Sequence, residues 1–304
     1  MQQTQNDEAT DRGRVILITG GGRGLGRAFA EAWAARGARV VVNDRAPADD
    51  EASAAATVAA LRAAGGEAVA DTTDICDPSA GQALLARALA AYGRLDGVIL
   101  NAGVSGPGGR VEDQAETVFR EVMEVNFFAN VALAQAVLPQ LKAAPAGRLL
   151  MVSSAAGLYG LHGRAPYSAS KAALASFALT LAKENRRHGL GVNVLTPYAA
   201  TPMTPPAERA QMSGVLEPTD VAPLAVYLTS AACDRTGEIW TAGGGLVRRA
   251  QTMESRGDAP APHTPLTPEW IHARRETLGA MTDATGFADA GAAFADLVGK
   301  LRRS

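Results

Sequence analysis

The feature that most constrains this chain is an alternation. From Arg14 to Pro197, short apolar runs alternate with longer segments of helical periodicity. The runs are RVILITG (14–20), ARVVVND (38–44), EAVADTTDI (67–75), LDGVILNAG (95–103), GRLLMVSS (147–154) and GVNVLTP (191–197). Between them, residues 27–37, 50–64, 79–92, 114–142 and 166–187 read as helices. Runs apolar at nearly every position leave neither sheet face for water, so the strands are parallel and helices cover both faces. The fold class this predicts is α/β, a doubly wound parallel sheet of the Rossmann type, with GEIWTAGGG (237–245) as its last strand.

The organisation along the chain follows. Residues 1–12 are polar and predict a disordered tail, and residues 13–250 form the sheet domain. Residues 251–304 begin as a Pro-rich linker and continue as a C-terminal helical extension. There Thr267, Pro268 and Glu269 make a helix start, a shorter helix is expected within 287–302, and Lys300, Arg302 and Arg303 read as a solvated helix end.

A net charge of −2 makes no case for nucleic acid or an anionic membrane as partner. No uninterrupted apolar run approaches the roughly 20 residues that span a bilayer. The polar, acidic start lacks the pattern of a signal peptide. Two cysteines suit a reducing compartment, and four scattered histidines show no ligand spacing, so no metal is expected. The expectation is a cytoplasmic protein.

TGGGRGLG (19–26) joins the first strand to the first helix. Its spacing is T-G-x-x-x-G-x-G, with Gly20, Gly24 and Gly26. Glycines let the backbone turn tightly against a pyrophosphate, and the helix start offers it unpaired N–H groups. Asp44 closes the second strand, where a carboxylate accepts from ribose hydroxyls and repels a 2′-phosphate, which favours NAD over NADP. Arg23 and Arg45 point the other way if they meet a 2′-phosphate, and mean nothing if they face solvent. Asp74 and Ile75 follow the third strand, where an adenine would lie; the alternative for Asp74 is a helix cap or turn residue.

YSASK (167–171) sets a phenol and an ammonium four residues apart, on one helix face and about 6 Å apart along the axis. A nearby ammonium favours phenolate, so Lys171 would lower the pKa of Tyr167 and fit it for proton transfer. Ser154, at the end of the fifth strand, can hydrogen-bond the same substrate oxygen. Taken singly, Ser154 reads as a strand-end cap and Asn126 as core packing.

TGGGRGLG, NAG (101–103), VSS (152–154) and YSASK, in this order, resemble the short-chain dehydrogenases/reductases over residues 13–250. The resemblance implies that Tyr167 is the general acid/base and that Lys171 tunes it and binds the nicotinamide ribose. It implies that Ser154 orients the substrate oxygen and that Asn126, in VNFF (125–128), serves a proton relay through a water. For the cofactor it implies Gly20, Arg23, Gly24, Leu25, Gly26, Asp44, Asp74, Ile75, Asn101, Pro197 and Thr201, beside Tyr167 and Lys171.

One departure is TPYAATPMT (196–204), where Tyr198 stands in place of the family's glycine after proline. This variant, VVVND (40–44) and LTPEWIHARRETL (266–278) resemble the (3R)-hydroxyacyl-CoA dehydrogenases of multifunctional β-oxidation enzymes. The resemblance implies a 3-hydroxyacyl-CoA substrate, with a hydroxysteroid or other bulky alcohol as the alternative, and a homodimer or homotetramer. A scaffold that binds a nucleotide without chemistry is the remaining reading. Met203, Met212 and Leu216 are candidates for an apolar substrate pocket or for packing on the sheet. His162 is a candidate substrate contact or a loop residue.

Overall fold

A computed structural model of the chain describes residues 11–45, 50–51, 53–204, 206–261 and 263–301. The expected tail lies outside the described residues up to residue 10, as do Arg302 and Arg303. The chain divides into two compact units, Met1–Arg249 and Ala250–Ser304.

The first unit runs β1 (Val15–Thr19), α1 (Gly24–Ala35), β2 (Arg39–Asn43), α2 (Ala54–Ala63), β3 (Glu67–Asp71), α3 (Ala80–Tyr92) and β4 (Gly97–Leu100). It continues through α4 (Glu116–Met123), a π-helical turn (Glu124–Phe128), α5 (Ala129–Ala143), β5 (Arg148–Val152), α6 (Ala155–Tyr159), α7 (Ala165–Asn185) and β6 (Gly191–Pro197). It closes with α8 (Pro206–Met212), α9 (Pro218–Thr229), β7 (Ile239–Gly243) and β8 (Leu246–Ala250), which ends on the first residue of the next unit. The sheet order is β3-β2-β1-β4-β5-β6-β7-β8, and every pair from β3 to β7 is parallel. Two apolar cores cover it. Leu84, Leu133, Val137 and Leu174 pack on one face, and Phe29, Trp33, Leu61 and Val221 on the other. The strand order reverses between β1 and β4, and their carboxyl ends frame the crevice where such sheets bind ligands.

Two differences from the sequence-based expectation matter. The helix expected over 114–142 is interrupted by the π turn, which admits one extra residue and contains Asn126. By length and composition alone, Glu116–Ala143 would also pass for a membrane span, but Leu133, Val137 and Leu141 lie in the core beneath the sheet. The sheet also has an eighth strand. Gly244 and Gly245, at φ +55° and +77°, form the two-residue reversal that returns the chain as β8.

At the amino ends of the strands, Arg14 Nη2 donates to the Ala146 and Thr229 carbonyls at 2.9 and 3.2 Å. Arg148 Nη2 donates to those of Ala231 and Cys233 at 3.2 and 2.7 Å. Asp11, fully buried, accepts from Arg36 Nη2 at 3.1 Å and from the Ala231 N–H at 3.0 Å.

In the second unit, β9 (Met253–Glu254) pairs antiparallel with β10 (Thr285–Gly286). Between them lies α10 (Pro268–Gly279), and α11 (Ala290–Leu301) follows. Thr267 caps α10 by accepting the Trp270 N–H at 3.2 Å. Arg274 lies 4.6 Å from the Trp270 ring centroid and pairs with Asp258 at 3.3 Å.

Candidate active site

The crevice at the β1/β4 reversal holds a cavity of about 260 Å³. Gly20, Arg23, Gly24, Leu25, Asp44, Asp74, Ile75, Asn101 and Thr201 all line it. Gly26 lies beneath, where a Cβ would run into the Gly20 carbonyl. Gly20 itself turns at φ +63°, and a Cβ there would meet Asn101 Nδ2 and Ala102 Cα at 3.0 Å. Asn101 ties the turn to β4: its Nδ2 donates to the Thr19 and Gly20 carbonyls at 3.0 and 3.1 Å. Its visible work is therefore on the turn's backbone.

Asp44 Oδ2 accepts from the Gly22 N–H at 3.0 Å, so the carboxylate is fixed at the rim of the cavity by the glycine turn itself. Asp74 lines the cavity and is also a turn residue, with Oδ1 accepting the Cys76 N–H at 3.0 Å and Oδ2 3.7 Å from Arg45 Nη1. Arg45 thus has a carboxylate partner. A dinucleotide fits these residues. The glycines clear its path, Asp44 presents a carboxylate at the rim, and Arg23, at the start of α1, puts no side-chain cap on the helix N–H groups.

The second cluster gathers at the carboxyl end of β5. Ser154 caps α6, its Oγ accepting the Ala156 N–H at 3.2 Å, and its hydroxyl stands near enough to Tyr167 to pull the phenol's pKa down. Lys171 is 3% exposed. Its Nζ donates to the Val152 carbonyl at 2.8 Å and lies 5.9 Å from the Tyr167 ring centroid. Burial lowers the Lys171 pKa to about 8. Burial also pushes the Tyr167 phenol above its ordinary value, against the Ser154 hydroxyl, which pulls it down. Lys171 is not among the causes of that shift, so the lowering expected from the ammonium does not appear in this state, where the ammonium is turned to a backbone carbonyl.

Asn126 is fully buried. Its Oδ1 accepts the Val104 N–H at 2.7 Å, and its Nδ2 donates to the Val104 carbonyl and to Ser170 Oγ, both at 2.9 Å. Ser170 Oγ donates in turn to the Tyr167 carbonyl at 2.8 Å. Asn126 therefore clamps the loop after β4 to the helix that carries Tyr167 and Lys171. The carboxamide's work is on protein atoms, whereas the water relay remains an implication of the resemblance.

Three further residues shape this site. A Cβ on Gly103 would lie 2.9 Å from Asn126 Oδ1 and 3.2 Å from Lys171 Nζ, so only a hydrogen lets these groups converge. A Cβ on Gly157 would meet the Lys171 carbonyl carbon at 2.7 Å, so this glycine seats α6 on α7. Ser170 is the link just described. Gly103 and Ser170 stand inside the NAG and YSASK motifs, and that position was the available signal.

Around the cluster, Arg164 Nη1 donates to the Gly106 carbonyl at 2.7 Å and the Gly109 N–H to the Gly163 carbonyl at 3.0 Å. This strap borders a second hollow of about 330 Å³, lined among others by Arg110, Glu112, Leu161 and His162. Beyond Pro197, at the end of β6, the Tyr198 N–H donates to the Ala242 carbonyl at 2.8 Å. The neighbouring Gly243 leaves room for Tyr198: a Cβ there would sit 2.6 Å from the Tyr198 carbonyl oxygen. Thr201 and Pro202 then come down on Gly24, and Met203 lines the first cavity. Met212 and Leu216 do not line it; the Leu216 carbonyl accepts the Ala200 N–H at 2.7 Å.

A family model described as short chain dehydrogenase matches residues 14–212. The chain is 33% identical over 281 residues to the peroxisomal multifunctional enzyme type 2 of Mus musculus, covering 90% of this chain and 37% of that protein. It is 33% identical over 249 residues to a short-chain type dehydrogenase/reductase of Mycobacterium tuberculosis, covering 80% and 87%. Among solved structures, a short chain dehydrogenase from Mycobacterium avium superposes with a TM-score of 0.77 at 34% identity, over 88% of this chain and 94% of that one.

Proposed function

The chain belongs to the short chain dehydrogenase family, and from that premise we propose that it is an NAD-dependent dehydrogenase interconverting a 3-hydroxyacyl-CoA and the corresponding 3-ketoacyl-CoA. Membership makes it an oxidoreductase acting on CH–OH groups with a nicotinamide cofactor. The observation that carries the reading is the buried Lys171 ammonium 5.9 Å from the Tyr167 ring on one helix, with Ser154 at the carboxyl end of β5 beside them. In this reading Tyr167 Oη takes the proton from the alcohol oxygen or returns it to the carbonyl. Ser154 Oγ orients that oxygen. Lys171 carries the charge that favours phenolate once the proton has left. Asn126 keeps the loop and the catalytic helix in register. A bound nicotinamide supplies the hydride acceptor or donor.

The preference for NAD rests on Asp44, fixed by the Gly22 N–H where a 2′-phosphate would have to approach. The acyl-CoA assignment rests on the similarity to multifunctional enzymes, of whose mouse member the chain spans 37%. A bulky alcohol such as a hydroxysteroid is the second reading. It is favoured by exposed side chains beside the cluster: Tyr159 at the end of α6, and Leu161 and Tyr198 on the following loops. The proposal includes a homodimer or homotetramer, supported by the exposed Phe128 on the long helical stretch, and a place in the cytoplasm, supported by two free cysteines.

The test is NADH formation from NAD with racemic 3-hydroxyacyl-CoAs and with 17β-hydroxysteroids, with Tyr167→Phe as control. Turnover of an acyl-CoA that vanishes in the variant is expected. Turnover of the steroid alone would move the assignment to the second reading. NAD binding without turnover of any secondary alcohol would refute the catalytic proposal.

A further inference from the structure

Asn130 stands one helical turn beyond Asn126, fully buried, and none of the roles above uses it. Its single amide nitrogen donates to two main-chain oxygens, those of Val125 at 3.2 Å and Asn126 at 3.0 Å. Both carbonyls belong to the π turn Glu124–Phe128. Where a helix lengthens its hydrogen bonds from four residues to five and back, a carbonyl is left without its helical N–H partner. The Asn130 amide, with two N–H groups, serves the carbonyls on that stretch. Its own Oδ1 is buried with no hydrogen-bond partner among the described residues. A buried acceptor left unpaired is unfavourable, and an alanine or valine would avoid it. What an asparagine offers here in exchange is the pair of donors to the π turn.

We infer that Asn130 is a positioning residue: it holds the π turn, and through that turn it keeps Asn126 bound to Val104 and Ser170 at the catalytic helix. The inference rests on the proposed dehydrogenase activity for its kinetic consequence, but not for its structural one. One residue of helical register is about 100° of rotation. If the π turn relaxes to an α-helix, Asn126 loses its bonds to both Val104 backbone atoms and to Ser170. Gly103, next to Val104, lies against Lys171 Nζ, so the disturbance reaches the reacting groups.

The experiment compares crystal structures and kinetics of Asn130→Ala and Asn130→Ser. Serine in a helix can donate its hydroxyl to the carbonyl four residues back, here that of Asn126. In Asn130→Ala the π turn should revert and the Asn126–Val104 bonds should break. With NAD and an alcohol that the wild type oxidises, kcat should fall by about tenfold or more while KM for NAD stays within about twofold. Asn130→Ser should restore both turn and kcat. An alanine variant that keeps the π turn and the Asn126–Val104 bonds, or keeps its kcat, overturns the inference. If the alanine variant does not fold, the serine variant decides: a folded Asn130→Ser without the π turn but with wild-type kcat also overturns it. Should the wild type oxidise no alcohol, the proposed function fails, and the crystallographic comparison still decides the role of Asn130.

Discussion

Replacing Lys171 with methionine should make the protein more stable at neutral pH while removing its catalysis. Burial brings the lysine from 10.5 to about 8, a shift equivalent to about 3 kcal/mol of penalty on the charged form. The sign follows from proton binding. Between pH 8 and 10.5 the unfolded chain holds this proton and the folded chain releases it, so stability rises with pH in that window. Below pH 8 the full penalty is present; above 10.5 none of it is. Methionine keeps the length of the stem and carries no charge, but it strands the Val152 carbonyl that Nζ now serves at 2.8 Å, a loss of about 1 kcal/mol. The net at pH 7 is a gain of about 2 kcal/mol, or roughly 4–8 °C in Tm. Near pH 10 the gain should vanish and then reverse. The assay is a series of thermal melts of wild type and Lys171→Met from pH 6 to 10, alongside NAD turnover. A variant that melts below the wild type at pH 7, or by a margin independent of pH, would refute the claim that Lys171 is held against its desolvation.

Gly103→Ala sets a methyl 2.9 Å from Asn126 Oδ1, and overpacking of this kind destabilises by about 1–3 kcal/mol; kcat should fall sharply, and kinetics within twofold of wild type would contradict the crowding. Asp44→Ala removes the carboxylate at the cavity rim and should lower the ratio of kcat/KM for NAD over NADP by about tenfold or more, read from initial rates with each cofactor. Asp11→Ala breaks a buried carboxylate's bonds to Arg36 and Ala231 and should cost about 3–5 kcal/mol in denaturant melts, with KM for NAD unchanged.

What was legible in the sequence follows from what burial imprints on it. Strands β1, β2, β4, β5 and β6 are covered on both faces, so Val15–Ile18 or Leu149–Val152 has no polar alternation to confuse with a surface strand. The glycine turn, Asp44, Ser154, Tyr167 and Lys171 were legible because each follows a recognisable strand or shares a helix face. The π turn was not. One extra residue at 124–128 leaves apolar side chains on both sides within the tolerance of a helical pattern, so Val122 and Leu133 read as one stripe. Nor was β8 legible, since Leu246 and Val247 are about half exposed and an uncovered strand carries no buried face to mark it. Gly103 stands in a recognisable motif whose role the sequence does not reveal. Its need for a bare backbone is set by Asn126 and Lys171, which only the folded chain brings to it.

The buried guanidiniums of Arg14 and Arg148 lie at the opposite ends of the strands from the reacting groups. A pooled mutational screen scored separately for abundance and for turnover should therefore resolve this sheet along its own axis. Substitutions near Asp11, Arg14 and Arg148 would deplete abundance and spare turnover per molecule. Those at Ser154 and Tyr167 would do the reverse. For such a fold, a plot of one score against the other becomes a coarse map of depth along the strands, obtained without a diffraction pattern.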